Sequence, residues 1–314
     1  MSSISSEIVG APGKSIPRVT ARRRAVPVLC AMALVVGLGL WLCCAYPLRE
    51  LWTFWTTDPL RSIGLAIPIA SLVLLVRAWR WEDLNHGGTW WGLPVVLGAL
   101  LLARTAYTLP LQFYLHSAYG LPSFEVIPFG ALLFAFTSGV VLLFAGAHAW
   151  RRAWFALLLL LFVNPVPHGF DVLVDLPLQY FAAHVARGFA ALIGVPVSTG
   201  VLQMMFTPRL GMFIAPGCDG LRGAVAMGYL ALVIGYLYRL TWLRWALYVL
   251  GAVLLAYVFN LLRLCGVVIY YWFAMRLPAI ADHATLADYL IGGVLFFCAA
   301  LFLFSIPRRW RPCT

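Results

Sequence analysis

The chain of 314 residues is 63% hydrophobic and only 11% charged, with a mean hydropathy of +0.92. That is more apolar surface than a soluble core of this length buries, so a soluble globular domain is excluded and the bilayer is the expected solvent. The formal charge of +11 falls in short clusters between apolar runs, with no basic face, which argues for topology signals and against a nucleic-acid partner. Of the seven cysteines, Cys30, Cys43, Cys44 and Cys298 sit inside apolar runs. They are too scattered for a disulfide framework or a zinc site, and no metal or organic cofactor is implied.

Residues 1–25, rich in Ser, Gly and Pro at their start, read as a disordered cytoplasmic tail. Arg22, Arg23 and Arg24 ahead of the apolar run Ala25 to Ala45 have the outline of a signal peptide. The run is long enough to cross about 30 Å of hydrocarbon, and Trp41 near its far end suits an interfacial anchor, so it is expected to stay as a span. Apolar runs recur at 26–46, 60–76, 89–104, 127–149, 153–167, 219–238, 245–271 and 286–306. They predict an all-α polytopic integral membrane protein of about eight transmembrane helices. No internal repeat is visible. The expected organisation is the tail 1–25, a transmembrane region 26–150, a second membrane region 151–306 that carries the site, and a basic cytoplasmic tail 307–314.

With the amino terminus inside, Arg22–Arg24, Arg77, Arg80, Arg151, Arg152, Arg239, Arg244, Arg308, Arg309 and Arg311 all fall on one side at span ends. Both termini are then cytoplasmic. The stretch from His168 to Cys218 and the segment from Arg263 to about Thr285 lie at the outer face of a cell inner membrane. The first of these begins at Asn164-Pro165-Val166-Pro167 and continues as an amphipathic, interfacial helix from Leu176 to Ile193. Val201 to Ile214, β-favouring and broken by Gly, predicts a short hairpin or extended loop.

Three elements in these outer segments carry chemistry. Ala215-Pro216-Gly217-Cys218-Asp219-Gly220-Leu221-Arg222 is a loop that becomes a helix. A cysteine at a helix start meets the positive end of the helix dipole, and Arg222 at i+4 shares its face; both favour the nucleophilic thiolate. Asp219 works against it unless paired with Arg222; the alternative is an inert cysteine beside a capping Asp. Asn260 and Arg263, at i and i+3, share one face of a long apolar helix. An arginine there is paired or functional, or snorkels to the headgroups held by Asn260. Ala281-Asp282-His283 offers an imidazole that takes the thiol proton and returns it to a leaving amine, with His168 as second choice for the base. Cys218, Arg263 and His283 are thus the candidate nucleophile, oxyanion-stabilising cation and proton shuttle at one membrane face, with Asp219, Arg222 and Asn260 in support.

At these residues the chain resembles the exosortase/archaeosortase family of polytopic membrane cysteine transpeptidases, over roughly 155–306. Cys218-Asp219-Gly220-Leu221-Arg222 is similar to the family's Cys-Ser/Thr-Gly-Leu-Arg element, departing at Asp219, where a small hydroxyl residue is commoner. Asn260-Leu261-Leu262-Arg263 is similar to its Asn-x-x-Arg element, and His283 follows in order. The resemblance implies a thiol protease and transpeptidase that acts on exported proteins carrying a PEP-CTERM-type C-terminal sorting signal, through an acyl-thioester on Cys218. Membrane lipid surrounds it, and water, a lipid or a glycan resolves the thioester. Two other classes compete: a transporter or lipid-binding protein with a polar pathway near Arg263 and His283, and an assembly protein with a Cys218–Cys265 disulfide.

Overall fold

In hydrocarbon a backbone has to satisfy its own hydrogen bonds, and this chain does so with helices. The computed structural model describes residues 18–57, 62–79, 87–107, 114, 117–118, 128–164, 171–197, 200, 202–207, 210–214 and 220–309. Helix α1 (Arg18–Thr57) is followed by a 3-10 turn (Ser62–Leu65) that leads into α2 (Ala66–Ala78), then α3 (Gly92–Ala106) and α4 (Phe129–Leu158), which continues as a 3-10 turn to Phe162. A π-helical turn, Asp171–Asp175, opens α5 (Leu176–Leu192). The hairpin β1 (Gln203–Met205) and β2 (Gly211–Phe213) precedes α6 (Leu221–Leu237), α7 (Trp242–Ala274), the single turn α8 (Pro278–Ala281) and α9 (Ala284–Arg309). Helix α1 starts at Arg18, inside the expected tail; the rest of that tail lies outside the described residues, as do 310–314.

Among the described residues, four stretches are long and apolar enough to cross a bilayer: Val26–Thr57, Phe129–Phe162, Trp242–Ala274 and Ala284–Pro307. Apolar side chains such as Leu34, Val73, Leu101, Leu254, Val294 and Leu301 are exposed around the bundle, a surface that only lipid solvates without penalty. This is a multi-pass membrane protein.

The second of those stretches is not one straight rod. A straight helix would set Gly130 and Leu161 about 46 Å apart at 1.5 Å per residue. Instead, a Cβ on Gly130 would lie 2.4 Å from the Leu161 carbonyl oxygen. The chain doubles back at Gly146, whose φ of 79° and ψ of 177° break the helix. Phe136, Val140 and Ala145 on one side of the turn share a buried cluster with Ala149, Ala153 and Leu157 on the other. The arms 129–145 and 147–162 correspond to the separate runs expected at 127–149 and 153–167. The division expected at 150/151 falls inside this hairpin.

Pairwise contacts fix the direction of every arm. Gly39 meets Phe136, and Gly92 meets the backbone of Gly139 and Leu143. Ser71 Oγ donates to the Ala156 carbonyl at 2.6 Å, and Trp55 Nε1 to that of Val163 at 3.2 Å. Helices α6 and α7 form a second antiparallel pair, with Gly235 under the Trp245 ring, and α7 pairs with α9 through Tyr248 Oη to the Leu303 carbonyl at 2.8 Å. One end of the bundle therefore gathers Arg77, Gly146, Arg151, Arg152 and Arg239. The other gathers Thr57, Ser62, Phe129 and Gly220.

Helix α7 outruns its partner. Its residue level with the start of α6 is Asn260, so about 14 further residues, roughly 21 Å, stand beyond that level. Ala182, Ala183, Ala186 and Ala190 of α5, and Met204, Phe206 and Ile214 of the hairpin segment, bury against Leu264, Val267, Val268 and Tyr271 of this extension. Alanine on the buried face of α5 lets the helices approach closely. The hairpin expected within 201–214 forms with Met204 opposite Met212. The helix expected from Leu176 to Ile193 forms as α5, and its inner face covers protein.

Gly130→Leu is expected to lower stability by about 1–3 kcal/mol through overpacking, whereas Gly98→Leu, where the space is open, stays within about 0.5 kcal/mol. Thermal unfolding of both variants in one detergent checks this.

Candidate active site

Position 220 requires glycine twice over. Its φ is 98°, in the left-handed region, and an added Cβ would lie 2.9 Å from Asn260 Cβ and 3.0 Å from its Nδ2. The Gly-Leu-Arg end of the first motif is thereby laid directly on the Asn of the second. Helix α6 then starts cleanly, with Ala224 N–H donating to the Gly220 carbonyl at 2.8 Å.

One turn along α7 from Asn260, Arg263 reaches across to α9. Its Nε donates to Asp288 Oδ1 at 2.9 Å and its Nη2 to Oδ2 at 2.6 Å. This is a bidentate fork, the strongest geometry available to the pair. The side chains are only 21% and 32% exposed, so each charge has surrendered much of its water and depends on the other. Gly292 makes room for the guanidinium, since a Cβ there would stand 3.2 Å from Arg263 Cδ and Nε. The Nε–Nη2 edge faces Asp288; of the other three N–H groups, two are on Nη1 and one is on Nη2.

These residues head a cleft of about 790 Å³ between α6, α7 and α9. Its polar end is formed by Ser62, Arg222, Asn260, Arg263, Thr285 and Asp288. Arg222 Nη2 donates to Ser62 Oγ at 3.3 Å, tying the first turn of α6 to the turn before α2. Below, Ala226, Ala256, Phe259, Leu295 and Ala299 make the wall apolar. From Thr285 to Ala299 the cleft follows α9 for about 21 Å. Gly223 and Gly293 face open space in it, and exposed Tyr289 and Phe296 form its rim.

In the structure Arg222, Asn260 and Arg263 all line this one cleft. Cys218, Asp219 and the second-choice base His168 lie outside the described residues. His283 sits just before α9, exposed, with its carbonyl accepting from Ala287 N–H at 2.9 Å. It is not among the residues that line the cleft. At about 100° per residue, Thr285, Asp288, Gly292 and Ala299 share the face of α9 that lines the cleft. The disulfide alternative is corrected: Cys265 is a free, half-buried thiol. Among the described residues no group of three His, Cys, Asp or Glu side chains gathers to hold a metal.

Asp288 escaped the sequence reading. It is the one charged residue in the run 286–306, and a carboxylate within an apolar helix demands a partner; that demand was its signal.

The profile of the transmembrane exosortase family matches residues 55–305, starting within α1 rather than at 155. No curated protein and no solved structure matches the chain.

A double-mutant cycle of Arg263→Ala and Asp288→Ala, read by thermal unfolding, should give a coupling energy of about 1–2 kcal/mol, with the double variant less destabilised than the sum of the singles.

Proposed function

The chain belongs to the transmembrane exosortase family, and from that premise we propose that it is a membrane-embedded cysteine transpeptidase. It cleaves PEP-CTERM-type C-terminal sorting signals from exported proteins through an acyl-thioester on Cys218. The observation that carries the reading is the contact of Gly220 with Asn260, one turn from an arginine already clamped by Asp288, at the head of a cleft. Cys218 is two residues from Gly220, so chain geometry holds their Cα atoms within about 7 Å.

In this reading the Cys218 thiolate, favoured by the start of α6 and by Arg222, attacks the scissile carbonyl carbon. The developing oxyanion is met by Arg263, oriented before the substrate arrives because Asp288 has fixed its plane. The C–N bond breaks, His283 delivers a proton to the leaving amine, and the acyl group stays on sulfur as a thioester. An acceptor amine or water then attacks that carbonyl, and the thiol is regenerated. The signal's own apolar helix occupies the lower cleft, where the small residues Ala226, Gly223 and Gly293 leave room. The scissile peptide meets the polar end, where its backbone groups are not stranded in lipid.

Eight arms of alternating direction cross a cytoplasmic membrane in this proposal. The arginine-bearing end faces the cytoplasm, following the positive-inside bias, and the cleft's polar end faces the periplasm.

A reporter carrying a PEP-CTERM-type tail, co-expressed at matched membrane abundance, tests the chemistry. Wild type is expected to process it and to accumulate a hydroxylamine-labile adduct with Cys218→Ala and Cys218→Ser inactive. Arg263→Ala should lose on the order of 100-fold or more, as for loss of an oxyanion donor. His283→Ala loses processing if that imidazole carries the proton; retained activity moves the role to His168. Processing by Cys218→Ala would sink the mechanism, and no processing of any tail by wild type would return the polar-pathway reading.

A further inference from the structure

A second cavity, of about 370 Å³, opens at the opposite end of the bundle, between α2, the second arm of α4 and the end of α6. Its polar wall is Arg77, Arg151, Arg152 and Arg239 with Tyr236; its apolar wall is Leu74, Trp154 and Leu237. No Asp or Glu among the described residues lines it. The guanidinium groups of Arg77, Arg151 and Arg239 make no hydrogen bond or ion pair with any described residue.

Two simpler causes account for part of this cluster. Cations complement helix C-termini, which suits Arg77 in the last turn of α2 and Arg239 just past α6. Charge on the cytoplasmic side also sets topology. Neither explains the whole. Arg151 and Arg152 lie early in the 147–162 arm, near its amino-terminal end, where the helix dipole disfavours cations. Arg239 occupies a position that belongs to glycine. The end of α6 is closed by Arg239 N–H to the Tyr236 carbonyl at 3.1 Å and Leu240 N–H to that of Gly235 at 3.0 Å, the paired bonds of a Schellman cap. Arg239 is its left-handed residue, with φ of 52°. It is the one non-glycine residue with positive φ among those described. A side chain kept at a strained position, aimed into a cavity, points to a ligand.

We infer that this cavity binds the phosphate groups of an anionic phospholipid from the leaflet at the arginine-rich end. Several guanidinium groups converging on one space match phosphate, which they bind in forks. The volume is that of a headgroup, at the small end of ligand sites. Trp154 and Leu237, both more than a third exposed, continue the wall into the apolar belt and so select a lipid over a soluble anion. Trp90, Trp91 and Trp242 are exposed at the same end and mark the headgroup level there. The site is independent of the reaction proposed above.

The full chain is placed in nanodiscs of phosphatidylcholine, with and without phosphatidylglycerol or cardiolipin, and separately in phosphatidylcholine with inorganic phosphate. Retained lipid is read by native mass spectrometry and stability by thermal midpoint. The anionic lipids are expected to be retained and to raise the midpoint, and inorganic phosphate is not. Arg77→Gln and Arg151→Gln should each weaken retention about fivefold. Arg239→Gly should do the same while its midpoint in phosphatidylcholine alone is no lower than that of wild type, because glycine relieves the left-handed cap. Arg244→Gln, an exposed arginine at the same end that does not line the cavity, should change nothing. Equal loss from Arg244→Gln would mean diffuse surface charge. Full retention by Arg239→Gly together with Arg77→Gln, or an equal gain from inorganic phosphate, would likewise overturn the assignment.

Discussion

A guanidinium at the edge of a bilayer is tolerated when a carboxylate meets it, and Arg263 meets Asp288 through both oxygens. The pair does more than neutralise charge. It joins α7 to α9 at one height and fixes the plane of the arginine. Because Asn260 sits one turn below and presses on Gly220, the same helix also sets where α6 begins. Three helices thus take their relative heights from about one turn of α7. Removing either partner leaves the other charge with little water to return to.

The rest of the bundle serves to hold that turn steady. The α4 hairpin closes through Gly130 and Gly146, α2 is bonded to it through Ser71, and α6 leans on it through Phe155 stacked on Tyr236. Beyond the bundle, α5 and the β hairpin segment pack on the extension of α7. Apolar area that faces lipid contributes nothing to cohesion between helices, and the contacts that count are these close glycine and alanine approaches.

Much of this was legible in the sequence, because each legible feature carries a local cost that only one arrangement removes. Apolar runs gave the helices, including two separate runs for the hairpin. Polar residues at i and i+3 on an apolar helix, Asn260 and Arg263, gave one wall of the site. The Gly-Leu-Arg segment gave the other. Asp288 did not stand out, since a lone acid near the start of an apolar run reads as a span end. The extension of α7 was hidden for a related reason: residues that face lipid and residues that face a covering helix are equally apolar, so 245–271 looked like a span throughout. The position of His283 was not legible either. Order along the chain does not say whether a residue ahead of a helix joins the cleft, and in the structure His283 is exposed and does not line it.

The open flank of the cleft, where Gly223 and Gly293 meet space and Tyr289 and Phe296 form an exposed rim, changes the dimensionality of the encounter. A partner that is itself an apolar helix reaches this flank by diffusing within the membrane plane, already oriented and already at the right depth. Its effective concentration is then a number per unit area, set by how many copies share the membrane and indifferent to cell volume. One of three translations and most of the rotational search are settled before contact, so modest complementarity along about 21 Å of groove suffices.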